Sequence, residues 1–124
     1  MAEPLVLTYN LDTRTAAGIG ALCRKQQIGF HPVRRDEYGL PIGALAGIPV
    51  SGPQNVPLPA GFDDPMLVMC HMLSSQLDAF LQGMRNEGIP RIGLKAVLTP
   101  ANEAWDSCRL HDELARERAA INGR

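Results

Sequence analysis

The chain has 124 residues, 45% of them hydrophobic, and a formal net charge of −1 at pH 7. This length and apolar content suit one compact domain and exclude a disordered chain. A pI of about 6.3 with neither half strongly basic argues against a nucleic-acid binder, and 5% aromatic residues leave few platforms for stacked bases.

The N-terminal stretch "MAEPLVLTYN" has no basic leader, and no run approaches the ~20 apolar residues of a membrane span. The three Cys, without secretory context, read as reduced thiols of a cytoplasmic protein. "PLVLTYN" (4–10) is a short β-type run. In "LDTRTAAGIGALCRKQQ", Asp12 or Thr13 can cap a helix, and Ala16, Ile19, Leu22 and Cys23 form one face of it. Gly18 and Gly20 weaken that helix or mark a close contact. "IGFHPVRR" (28–35) is a second strand, and Pro32, lacking an N–H, places it at a sheet edge.

Residues 36–64 are rich in Gly and Pro. "PIGALAG" fits one or two helical turns, and "IPVSGPQNVPLPAG" reads as irregular loop. "MLVMC" (66–70) is continuously apolar, as in a strand covered on both faces. "SSQLDAFLQGMRNEG" is the clearest helix, with Leu73, Leu77, Phe80, Leu81 and Met84 on its inner face, Ser74 as N-cap and Gly88 as stop. "RIGLKAVLT" (91–99) is the fourth strand. A last helix is expected from about Asn102 to about Ile121, with Thr99 as rival cap ahead of Pro100.

This order predicts an α/β domain over residues 1–124, a small open, mainly parallel four-stranded sheet with helices on both faces. The alternative is a ferredoxin-like α+β sheet with an extra C-terminal helix.

Chemical motifs are sparse. "GIGALC" (18–23) has its glycines two turns inside a helix, too late for a dinucleotide-binding turn, and no phosphate loop or G-x-S-x-G elbow is present. No cofactor is expected. Cys70, Cys108 and His111 are the residues from which a metal-binding regulator would be built, but their spacing departs from structural zinc sites, and Cys70 reads as a buried small hydrophobe. Ligands of open α/β sheets lie beyond the strand C-termini. That rule selects Tyr9, Asn10, His71, Thr99 and Asn102, with Tyr38 and Trp105 completing the rim. The competing structural reading makes Thr99 and Asn102 caps and Trp105 an anchor between helix and sheet. Lys95 interrupts the apolar fourth strand, on the side opposite Leu94 and Ala96, and its ammonium needs solvent, a carboxylate or a ligand.

The segments "LTYN", "YGLPIGALAGI", "PMLVMC", "QLDAFLQGMRNEGIPRIGLKAVLTPANEAW" and "HDELARE" resemble a family of small bacterial proteins described only as a domain of unknown function. The resemblance implies a whole-domain match and brings no activity, cofactor or catalytic residue with it. The residues therefore lead to a ligand- or protein-binding module without catalysis of its own. An edge strand and a Pro-rich apolar loop would suit a homodimer or protein partner, with neither nucleic acid nor membrane involved. Two other readings are an enzyme using His71, Lys95, Thr99 and Asn102, and the metal-binding regulator.

Overall fold

The computed structural model describes residues 3–48 and 61–122, with side chains of the last helix described as far as Arg118. Along the described residues the elements are β1 (Leu5–Tyr9), α1 (Thr13–Lys25), β2 (Gly29–Pro32), a 3₁₀ turn (Arg35–Glu37), α2 (Ile42–Leu45), β3 (Met66–Cys70), α3 (Ser74–Asn86), β4 (Leu94–Val97) and α4 (Ser107–Asn122). The strands form one open sheet in the order β2-β1-β3-β4. β1 pairs parallel with β2, and β3 parallel with β4. The central pair, β1 with β3, is antiparallel, with Tyr9 opposite Met66 and Leu5 opposite Cys70. The fold is thus α/β with a mixed, mostly parallel sheet, and the ferredoxin-like alternative is not needed.

Two β-α-β units build it, and period-two alternation sends their side chains to two cores. Val6, Leu67 and Met69 meet Ile19, Leu22 and Cys23 of α1 and Phe80 and Met84 of α3 on one face. Leu7, Tyr9, Met66, Val68, Cys70 and Leu94 meet Tyr38, Ile42, Phe62 and Leu110 on the other. All five residues of β3 are buried, which explains its continuous apolar run. β2 lies at the sheet edge, where Pro32 is tolerated. α1 and α3 approach closely at Gly83, where a Cβ would come within 2.8 Å of Leu22 Cδ1.

The helix ends follow local chemistry. Asp12 caps α1 by accepting the Thr15 N–H at 2.7 Å. Gly88 takes φ +67 just past α3, as a left-handed terminator does. Ser74 is the first helical residue of α3 rather than its cap: the N-cap is Leu73, whose N–H donates to Gln76 Oε1 at 2.8 Å. Leu73 is 69% exposed and off the inner face expected of it.

The last helix starts later than its sequence suggests. Thr99 and Asn102 bond each other and β4, so residues 100–104 form turns, and Asp106 caps α4 through the Arg109 N–H at 2.8 Å. Within the 36–64 region, α2 is held by this same segment. The Ile42 and Gly43 N–H groups donate to the Trp105 and Glu103 carbonyls, each at 2.8 Å, and thereby satisfy its open N-terminal donors. The expected irregular loop over 49–60 lies outside the described residues. Among the described residues no helix is long and apolar enough to cross a membrane.

Candidate functional site

The antiparallel β1–β3 pairing divides the expected rim. Tyr9 and Asn10 end β1 beside the start of β3, whereas His71 and Thr99 follow the ends of β3 and β4. Four strands with one common direction would have gathered these residues; two pairs of opposite direction send them to opposite ends of the sheet.

At the β1 end, the side chains satisfy one another. Asn10, in a left-handed conformation at φ 57, donates through Nδ2 to the Phe62 carbonyl at 2.9 Å and to the Asp64 carbonyl at 3.2 Å. Tyr38 donates its hydroxyl hydrogen to Asn10 Oδ1 at 3.2 Å. Tyr9 shares a 2.8 Å hydrogen bond with the buried Ser107 hydroxyl, and burial raises its phenol pKa far above the ordinary value. Phe62 stacks between Tyr38 at 4.7 Å and the His111 ring at 4.2 Å, and His111 Nε2 lies 2.8 Å from Asp64 Oδ2. Arg35 pairs with Asp63 at 2.7 Å. This network ties residues 61–64 to β1, the 3₁₀ region and α4. Among the described residues no buried side-chain nitrogen or oxygen lacks a partner.

At the other end, His71 has φ 60 and its Nε2–H donates to the Ala46 carbonyl at 3.0 Å, on the α2 side. Asn102 donates to the Val97 carbonyl at 3.1 Å and accepts the Thr99 N–H at 2.9 Å. Trp105 packs against the α2–α4 core, with the Arg109 guanidinium 4.4 Å above its ring. Lys95 stands beside Leu67, whose side chain belongs to the α1–α3 core. His71 and Lys95 therefore face opposite sides of the sheet, and the four-residue set His71, Lys95, Thr99 and Asn102 does not share one pocket.

The thiols are also dispersed. Cys70 lies in the α2–α4 core and Cys23 in the α1–α3 core, with burial raising their pKa values to about 12 and about 11. Cys108 is raised by burial as well. Protonated thiols are poor nucleophiles and poor metal ligands. Among the described residues no group of three or more His, Cys, Asp and Glu is arranged to hold a metal ion, so Cys70, Cys108 and His111 do not form a ligand set there.

What remains is Lys95 itself. β4 is the last strand of the sheet, and a cavity lies on each side of its start. One, of about 470 Å³, is lined by Leu94, Leu114, Glu117 and Arg118 towards α4. The other, of about 420 Å³, is lined by Leu81, Met84, Ile89 and Arg85 towards α3. Arg91 and Lys95 line both. Both volumes fall in the range of small-ligand sites, roughly 300–1,000 Å³. Each has an apolar wall and a cationic rim.

Among the described residues Arg85, Arg91, Lys95 and Arg118 form no ion pair. Among the described residues Glu117 is the one carboxylate lining either cavity. Among the described residues the Lys95 ammonium donates only to the Ile92 carbonyl, at 3.1 Å. Partial burial, then Arg91 and Arg85, push its pKa below the usual 10.5. Arg118 is fitted against Gly93, where any Cβ would collide with its guanidinium.

Lys95 stands out in the sequence as the charged residue of an apolar strand, whereas its companions do not. Arg85, Arg91 and Lys95 lie within eleven positions around the short α3–β4 connection, which was a usable signal. Arg118 comes from α4 and carried none.

A family described as "Domain of unknown function (DUF3783)" matches residues 65–121. The matched range spans β3, α3, β4 and most of α4, and so contains every residue named in the Lys95 cleft. "LTYN" and "YGLPIGALAGI" lie outside it. No curated protein and no solved structure matches the chain.

Proposed function

We propose, taking the β3–α4 unit as the working part of the chain, that this protein is a binding module without catalysis of its own and that its ligand is an anion with an apolar portion. The observation that carries the reading is the group of cations around β4 that have no carboxylate partner among the described residues: Arg85, Arg91, Lys95 and Arg118. Proteins usually pair such groups or leave them in open water, since a partly buried cation is costly. Arg85, Arg91 and Arg118 are exposed, but Lys95 is partly withdrawn from water and feels the charges of Arg91 and Arg85. An anion supplies the missing charge, and the Leu81–Met84–Ile89 and Leu94–Leu114 walls accept an apolar body.

Titration with anilinonaphthalene sulfonate, an amphiphilic anion, tests this. Its fluorescence rises on binding the native protein, and amide shifts in an NMR titration concentrate at residues 81–95 and 114–118. The Arg91→Gln/Lys95→Gln variant binds it about tenfold more weakly, a loss fitting two charge-assisted contacts. Unchanged affinity in that variant, or shifts confined to Tyr38, Phe62 and His111, overturns the reading.

A further inference from the structure

The two cavities share a wall, and that wall is an edge strand. The Leu98 N–H donates to the Met69 carbonyl of β3. In a parallel pair, alternate residues turn their backbone groups to opposite sides, so Leu94, Ala96 and Leu98 address β3, and Lys95 and Val97 face away from it. The Val97 carbonyl is taken on that outer side by Asn102 Nδ2 at 3.1 Å. Among the described residues the N–H and C=O of Lys95 and the N–H of Val97 are thereby left on the open edge of a sheet that ends at β4.

We infer that the β4 edge takes an extended, acidic segment of a partner protein as a fifth strand, with the partner's successive side chains entering the α3-side and α4-side cavities in turn. The inference rests on the anion-binding reading above and names its ligand class. An added strand lies about 4.8 Å beyond β4 and sends neighbouring side chains to opposite faces. That is how the cavities are placed, one on each face, with Arg91 and Lys95 reaching both. Each cavity offers an apolar wall to one side chain and a cationic rim to a carboxylate.

Charge selects the occupant. A second copy pairing β4 against β4 about a two-fold axis at Lys95, the residue with both backbone groups on the open edge, would set Lys95 against its own counterpart, and like charges directly opposite are destabilising. An acidic strand meets the same groups with the opposite sign. The Asn102 bond to Val97 limits the free edge to the start of β4, which suits a short segment.

A fluorescent peptide with two adjacent Glu flanked by Val and Leu tests the inference by anisotropy with the full chain. Two N-methylated forms are made, one blocking the amides of even positions and one those of odd positions. Strand addition requires one form to bind about tenfold more weakly, because it loses its bonds to the edge, while the other keeps its affinity. Arg91→Gln/Lys95→Gln must weaken the parent peptide by a similar factor, and far-ultraviolet circular dichroism checks that the variant is folded.

If both methylated peptides bind like the parent, or if the parent does not bind while the sulfonate probe does, strand addition is wrong and the anion site stands. If neither peptide nor probe responds to the Arg91→Gln/Lys95→Gln change, both readings fail. A single-stranded oligothymidylate that displaces the peptide at equal affinity, or concentration-dependent dimerisation that excludes it, also overturns the inference.

Discussion

An ammonium partly withdrawn from water and placed beside two guanidinium groups is disfavoured in its charged form by desolvation and by repulsion, and Lys95 occupies such a position. Its pKa in the folded chain lies below 10.5, so between the two values the unfolded state binds more protons. Stability attributable to this group therefore rises with pH across that interval, and its cost is fully present below it. Lys95→Met removes the cost. Urea unfolding at neutral pH should show the variant to be at least as stable as the native chain, by up to about 0.5 kcal/mol, with the advantage vanishing as pH approaches 10.5. The same variant should lose affinity for the sulfonate probe. In the native protein that affinity should stay flat at neutral pH and fall as pH rises through the lowered Lys95 pKa. A destabilised variant would mean that the Lys95 stem or its bond to Ile92 matters more than its charge.

At the scale of elements, the segment from Thr99 to Asp106 shows how a local signal can be right in kind and wrong in place. Thr, Asn and Asp all favour helix N-termini. Thr99 and Asn102 instead close a turn onto β4, and Asp106 performs the capping. What distinguishes the three is tertiary: Asn102 finds the Val97 carbonyl beside it, and residues 103 and 105 offer their carbonyls to α2. Asp106→Ala should cost about 1 kcal/mol, the usual effect of losing an N-cap, when measured by chemical denaturation. Thr99→Val should stay within about 0.5 kcal/mol, because the exposed Thr99 hydroxyl accepts only one long bond, 3.3 Å, from Asn102. Equal losses in both would place the helix start where the sequence first suggested it.

For the molecule as a whole, the sheet and the last helix are joined through a buried polar contact between Tyr9 and Ser107, 98 positions apart. Both residues are fully buried, so neither hydroxyl can turn to water. Tyr9→Phe keeps the ring among Tyr38 and Phe62 but strands the Ser107 hydroxyl. The expected cost is about 1–3 kcal/mol in global unfolding. Tyr9→Phe/Ser107→Ala should recover much of it, since removing both partners is far milder than orphaning one. If the double variant is as unstable as the single, the contact is not what joins β1 to α4.

The sequence by itself determined the type and order of the strands and main helices, though not where α4 begins, because these depend on neighbours along the chain. Period-two and period-3.6 patterns, Asp12, Gly88 and the edge-seeking Pro32 act over a few residues. It also determined that Lys95 opposes Leu94 and Ala96, since alternation along a strand is geometric. Only the tertiary structure decided the direction in which β3 runs against β1. The connection from β2 to β3 is long enough to return the chain to either end of the sheet, so no local pattern selects the antiparallel pairing. That one choice separated Tyr9 and Asn10 from His71 and Thr99. It likewise took the fold to assemble Arg85, Arg91, Lys95 and Arg118, because a site drawn from α3, β4, α4 and their connections is written in no single stretch of the chain.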